Sequence, residues 1–121
     1  MKNFRFLKLR VYQEAKNFHR KAIYYSKGWS KEFDYLKNQL RKAALSIVLN
    51  IAEGSGKSSD NDFNRYILNS LGSTNESAAC IDIAFGEKLL THENYNELLS
   101  LALRLKNSLG SLSKRLKAES G

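Results

Sequence analysis

Apolar residues recur at helical spacing in four stretches of the chain, and no alternating pattern runs long enough to predict a strand. The first helix is expected from about Leu7 to Lys27, where Val11, Ala15, Phe18, Ala22 and Tyr25 follow the 4-3-4-3 spacing of a packed seam. Gly28 is placed to end it, and GWSKEFD reads as a loop. The second helix is expected from about Phe33 to Gly54, with Ser30 or Asp34 available near its start. GSGKSS reads as a turn, and Ser59 with Asp62 resembles a capping box with aspartate in the usual Glu/Gln place. The third helix is expected from about Asp60 to Leu90. Thr91 caps a fourth, from about His92 to Ala118, whose seam is Leu98, Ala102, Leu105, Leu109, Leu112 and Leu116. Four helices with short connections predict an all-α, antiparallel up-down-up-down four-helix bundle. With 121 residues and no internal repeat, the chain reads as one domain over 1–121.

The second helix carries two stripes. Leu36, Leu40, Ala43, Ile47 and Ile51 form the apolar one, and Gln39, Ser46, Asn50 and Glu53 share a polar side. Leu45, Val48 and Leu49 make a further side apolar as well, so this helix is expected to be buried on several sides. A polar line on such a helix implies a core hydrogen-bond network or an oligomer interface. On the third helix Asn69, Ser73, Glu76 and Cys80 fall on one side. In a hairpin turning at 54–59, Gln39 comes near Glu76, Ser46 near Asn69 and Ser73, and Asn50 and Glu53 near Asp62 and Tyr66. The expected network is therefore Gln39, Arg41, Ser46, Asn50, Glu53, Ser73 and Glu76, with Arg41 or Lys42 neutralising a glutamate. Gly72, inside the third helix, costs about 1 kcal/mol relative to alanine, and its expected compensation is the close approach of another helix.

Charge adds a second theme. The net charge is +8, with +9 in residues 1–42, −4 in 43–94 and +3 in 95–121. A basic first third and a basic tail point to an anionic partner, with nucleic acid foremost. Lys16, Arg20 and Lys27 share an outward side of the first helix, with Arg10 and Lys21 in a neighbouring row. Such rows pair with phosphates, or form an ordinary solvated face. Tyr12, Tyr24, Tyr25 and Trp29 lie close by and either stack on unpaired bases or serve as core. No catalytic constellation, metal set or cofactor motif emerges. Glu53 and Glu76 lack the Glu-x-x-His partners of a di-metal bundle, and Cys80 with His19 and His92 is a poor zinc set. GSGKSS lacks the spacing of a phosphate loop. A single cysteine, no export-type leader in MKNFRFLKLR and no membrane-length apolar run make a cytoplasmic, non-enzymatic protein the expectation. Its rival is a protein-interaction module whose charge serves solubility.

Leu36, Gln39, Arg41, Ala43, Ser46, Asn50, Ile51, Ala52, Glu53 and Gly54, followed by Ser59, Phe63, Ser73 and Glu76, resemble the signature of proteins encoded in intervening sequences of bacterial 23S ribosomal RNA genes. FLKLRVYQEA (Phe6 to Ala15) is similar to the start of that family too. Lys42 departs from the pattern, where a second arginine is expected, but keeps the charge. The resemblance implies a four-helix bundle assembled into a ring-like homo-oligomer, commonly a pentamer. It also implies likeness to the accessory proteins of diversity-generating retroelements, which form basic barrels and engage nucleic acid. It carries no assigned biochemical activity, and RNA binding is inferred for such proteins from genomic setting and charge.

Overall fold

A computed structural model describes residues 4–120. Four α-helices account for most of them: α1 (Arg10–Ser26), α2 (Asp34–Ser55), α3 (Asp60–Gly86) and α4 (His92–Ser120). Two single-turn 3₁₀ segments, Arg5–Lys8 and Lys31–Phe33, precede α1 and α2. The described residues contain no strand. Backbone contacts join α1 to α2, α2 to α3, α3 to α4 and α4 back to α1, while the diagonal pairs do not meet. Each helix thus has two packed neighbours and one free side.

The seams found in the sequence form the core. Leu36, Leu40, Ala43, Ile47 and Ile51 of α2 are buried, as are Leu98, Ala102, Leu105, Leu109, Leu112 and Leu116 of α4. On α1 the buried line ends at Ser26 rather than Tyr25. The Ser26 hydroxyl returns a hydrogen bond to the Ala22 carbonyl at 2.8 Å, which satisfies it without solvent. Ser70, Thr74 and Ser77 give α3 a buried hydroxyl face, and Ser70 Oγ donates to the Ile47 carbonyl of α2 at 3.0 Å. Small side chains let these two helices lie close. At Gly54 the approach is tight: a Cβ would stand 2.7 Å from Tyr66 Cβ and 3.2 Å from the Phe63 carbonyl oxygen. At Gly72 a Cβ would meet nothing within 4 Å, so the approach expected there is not made within the chain.

The caps on α3 and α4 form as expected. Ser59 Oγ accepts from Asp62 N and Thr91 Oγ1 accepts from Asn94 N, each at 3.1 Å. Neither Ser30 nor Asp34 caps α2; Asp34 lies in its first turn, paired with Lys37 at 3.3 Å. The first helix starts later than expected because Leu9 is extended (φ −83°, ψ 125°) and separates the 3₁₀ turn from α1. The third helix stops at Gly86, short of Leu90. Lys88 takes a left-handed conformation (φ 63°), Lys88 N donates to the Phe85 carbonyl and Leu89 N to that of Ala84. These two bonds are a Schellman closure with lysine in the place glycine usually fills.

Candidate nucleic-acid interface

The polar stripe of α2 forms in part, and not in the core. Gln39 Nε2 donates to Glu76 Oε2, and Ser73 Oγ donates to Ser46 Oγ at 3.0 Å. Asn50 folds back on its own helix, donating to the Ser46 carbonyl at 2.9 Å and to Ser46 Oγ at 3.1 Å. Gln39 and Glu76 are exposed, and Ser46, Asn50 and Ser73 are half-buried. Of the further apolar side expected to be buried, Val48 is buried as expected, but Leu45 is 42% and Leu49 is 55% exposed, so α2 is not buried all round. Two expected members leave the network. Arg41 turns to α1, donating from Nε to Ser26 Oγ at 3.0 Å and from Nη2 to the Ile23 carbonyl at 3.2 Å, so it neutralises no glutamate. The Glu53 carboxylate is exposed, takes no hydrogen bond from the described residues, and lines a shallow cleft with Phe4, Arg5, Phe6 and Leu49.

On α1 the cations stand in different company. Arg10, Lys16, Arg20 and Lys27 are exposed. Lys16 Nζ lies 5.3 Å from the centre of the Tyr12 ring, and Arg20 donates to Asn17 Oδ1 at 3.1 Å. Lys21 is half-covered and pairs with Glu97 of α4 at 3.0 Å. The other Glu97 oxygen accepts from the Tyr25 hydroxyl. That hydrogen bond, then burial, pushes the Tyr25 phenol up to about 12. The same bond, followed by Lys21, holds the Glu97 carboxyl below its ordinary range. Lys21 is therefore already matched by a carboxylate. Of the aromatics, Tyr24 is well exposed, whereas Trp29 is buried and belongs to the core. His19 is half-buried beside Arg41, and burial, then that guanidinium, lowers its pKa. Burial, then Glu76, pushes the Cys80 thiol up.

Sequence reading gave the basic tail as a net charge but singled out none of its residues. From Leu98 to Ala118 α4 carries Arg104, Lys106, Lys114, Arg115 and Lys117 and no carboxylate. Arg104, Ser108, Ser111 and Arg115 recur at 4-3-4 spacing, the signal that would have found this face. A groove of about 310 Å³ runs between the start of α1 and this part of α4, lined by Arg10, Asn107, Ser108, Ser111 and Arg115 over an apolar floor of Leu9, Val11 and Leu112. It adjoins a second concavity, of about 500 Å³, on the α3 side of α4, that shares Asn107 and Ser111 and adds Lys106, Gly110 and Lys114 with Leu71 of α3. No acidic residue lines either one.

Among the described residues no helix is long and apolar enough to cross a membrane. Comparison with curated proteins returns no match. Residues 7–111 match the family model for the 23S rRNA-intervening sequence protein, and the chain belongs to that family.

Proposed function

We propose that this protein is a non-enzymatic, cytoplasmic scaffold that assembles with copies of itself and binds structured RNA or other nucleic acid through phosphate contacts. The observation that carries the reading is the gathering of exposed cations on two adjacent helices, α1 and the second half of α4, with Arg10, Lys16, Arg20 and Lys27 on the first. Cations on one side of a rigid bundle favour a polyanion and give affinity with little sequence preference. The family's description refers to 23S rRNA, which makes RNA the first ligand to try.

The bundle is proposed to run up-down-up-down, each helix antiparallel to its neighbours. The cross-links support this: Gln39 meets Glu76 and Ile47 meets Ser70, while Asn64 meets Ser113 and Asp82 meets Tyr95. In both of these pairs, α2 with α3 and α3 with α4, one number falls as the other rises. A ring-like homo-oligomer, with a pentamer the form to test, fits the free sides of α2 and α3. Leu68, Gly72, Asn75, Ala79 and Ile83 share an exposed, uncharged face of α3, and Leu45 and Leu49 are exposed on α2. These apolar residues also favour a second reading, in which the assembly docks another protein and has no nucleic-acid role.

The test is binding of the purified protein to a structured ribosomal RNA fragment and to duplex DNA across a salt series, with its mass measured in parallel by light scattering. Tight binding with a steep salt slope, weakened when Lys16, Arg20 and Lys27 are neutralised together, supports the reading. Absence of binding at low salt, where charge effects are strongest, leaves the protein-docking alternative.

A further inference from the structure

We infer that the groove between the start of α1 and the second half of α4 is the main phosphodiester-binding track of this protein, with Arg10 and Arg115 as its two charged walls. The inference rests on the nucleic-acid reading above and names the site for it. Four observations meet here. Arg10 and Arg115 come from different helices and line one groove, so the fold juxtaposes two cations that lie far apart in the chain. The lining between them is Asn107, Ser108 and Ser111, uncharged groups that donate hydrogen bonds to phosphate oxygens, with no carboxylate to repel an anion. The neighbouring concavity continues the track past Lys106 and Lys114.

Gly110 is the fourth observation. It lies inside a long helix, where glycine is unfavourable, yet a Cβ there would meet nothing within 4 Å. Packing among the described residues does not call for it. Its position between Lys106 and Lys114, next to Ser111, places a bare stretch of backbone on the track. Backbone without a side chain is what a closely approaching ligand requires. By contrast, Lys21 is occupied by Glu97, which weakens the middle of α1 as an anion site and moves the centre of binding toward Arg10.

The test compares the unmodified protein with three variants: Arg10→Gln/Arg115→Gln, Gly110→Gln, and Lys16→Gln/Arg20→Gln/Lys27→Gln. The probes are an RNA duplex and a DNA duplex of about 20 base pairs, titrated from low to physiological salt. The arginine pair is expected to lose on the order of tenfold or more in affinity, and its log-log salt slope on DNA to flatten by about two, roughly 0.9 per phosphate contact removed. Gly110→Gln is expected to raise the unfolding midpoint, because its side chain enters open space, and still to weaken binding without changing charge. Equal losses on RNA and DNA assign the track to the shared phosphodiester chemistry; a loss on RNA alone assigns it to an RNA-specific contact in the same groove. The inference is overturned if the arginine pair and Gly110→Gln bind like the unmodified protein while the α1 triple variant does not. It falls together with the nucleic-acid reading if the unmodified protein binds neither duplex.

Discussion

Replacing Gly54 by alanine tests the close packing of α2 on α3 near the turn that joins them. The new methyl would stand 2.7 Å from Tyr66 Cβ, 3.0 Å from Phe63 Cδ1 and 3.2 Å from the Phe63 carbonyl oxygen. A phenyl edge can swing aside, but a Cβ and a carbonyl are fixed to the backbone of α3. The two helices must therefore separate near the turn. Overpacking of this kind costs about 1–3 kcal/mol, and the rigid partners put Gly54 toward the upper end. Alanine returns about 0.8–1 kcal/mol through its helix propensity. The expected net loss is about 1–2 kcal/mol. With a urea slope of about 2 kcal/mol per molar, within the usual range, the midpoint falls by roughly 0.5–1 M. Shortening Tyr66 to alanine as well does not rescue it, since the clashing Cβ remains.

The assay is urea unfolding followed by helical circular dichroism, at fixed protomer concentration because self-association would shift the midpoint. Gly86→Ala is the control: it is also helical, nothing lies within 4 Å of its built Cβ, and it should gain about 0.5–1 kcal/mol. If Gly54→Ala is as stable as the unmodified protein, or more so, the close approach of α2 and α3 is wrong at this position.

Other consequences follow from single contacts. Lys88→Gly removes a side chain from a left-handed conformation and should stabilise the protein by about 0.5–1 kcal/mol in the same unfolding assay. Ser59→Ala leaves Asp62 N without its partner at the start of α3 and should cost about 1 kcal/mol, with Thr91→Ala similar at α4. An alkaline absorbance titration should show Tyr25 ionising near pH 12, a step that Tyr25→Phe or Glu97→Gln abolishes. Because this pKa is raised in the folded state, the contribution of Tyr25 is fully present below about pH 10 and is lost as pH rises through about 12. The lowered pKa of Glu97 works in the other direction: its contribution holds above the ordinary carboxylate range and fades as pH falls below it.

The helices were legible because their seams are periodic and their caps chemical. Leu98 to Leu116 repeats too regularly to be anything else, and Ser59 and Thr91 sit where a serine or threonine side chain best captures an orphan amide. What the pattern could not reveal was that Leu45 and Leu49, on the further apolar side of α2, stay outside the core. Leu45 and Leu49 have the same hydropathy as Leu36 and Leu40, and only the placement of α1 and α3 leaves one pair outside. Arg41 was misassigned for a related reason. Its charge pointed to a glutamate, but the nearest acceptors were the Ile23 carbonyl and the Ser26 hydroxyl at the end of α1, groups invisible to charge counting. The α1 cations were identified as a row, yet Arg115 could be joined to Arg10 only by knowing that the start of α1 packs against the second half of α4.

The glycines carry the argument one step further. Each of Gly54, Gly72 and Gly110 lies inside a helix, where it costs about 1 kcal/mol relative to alanine. Gly54 is compensated within the chain, by the contact with Phe63 and Tyr66. Gly72 and Gly110 are not, since neither Cβ would touch anything within 4 Å. The surroundings of the two differ in kind. Gly72 stands among Leu68, Ala79 and Ile83 on an uncharged face, which on the proposed reading receives another copy of the chain. Gly110 stands among Lys106, Ser111 and Lys114, which on the same reading receives a phosphate backbone. A bulky substitution should therefore separate the two surfaces. Gly72→Leu is expected to lower the assembled mass seen by light scattering, and Gly110→Gln to leave the mass intact while weakening binding to nucleic acid. The opposite pattern, with Gly110 controlling assembly and Gly72 controlling binding, would exchange the two faces and refute the assignment.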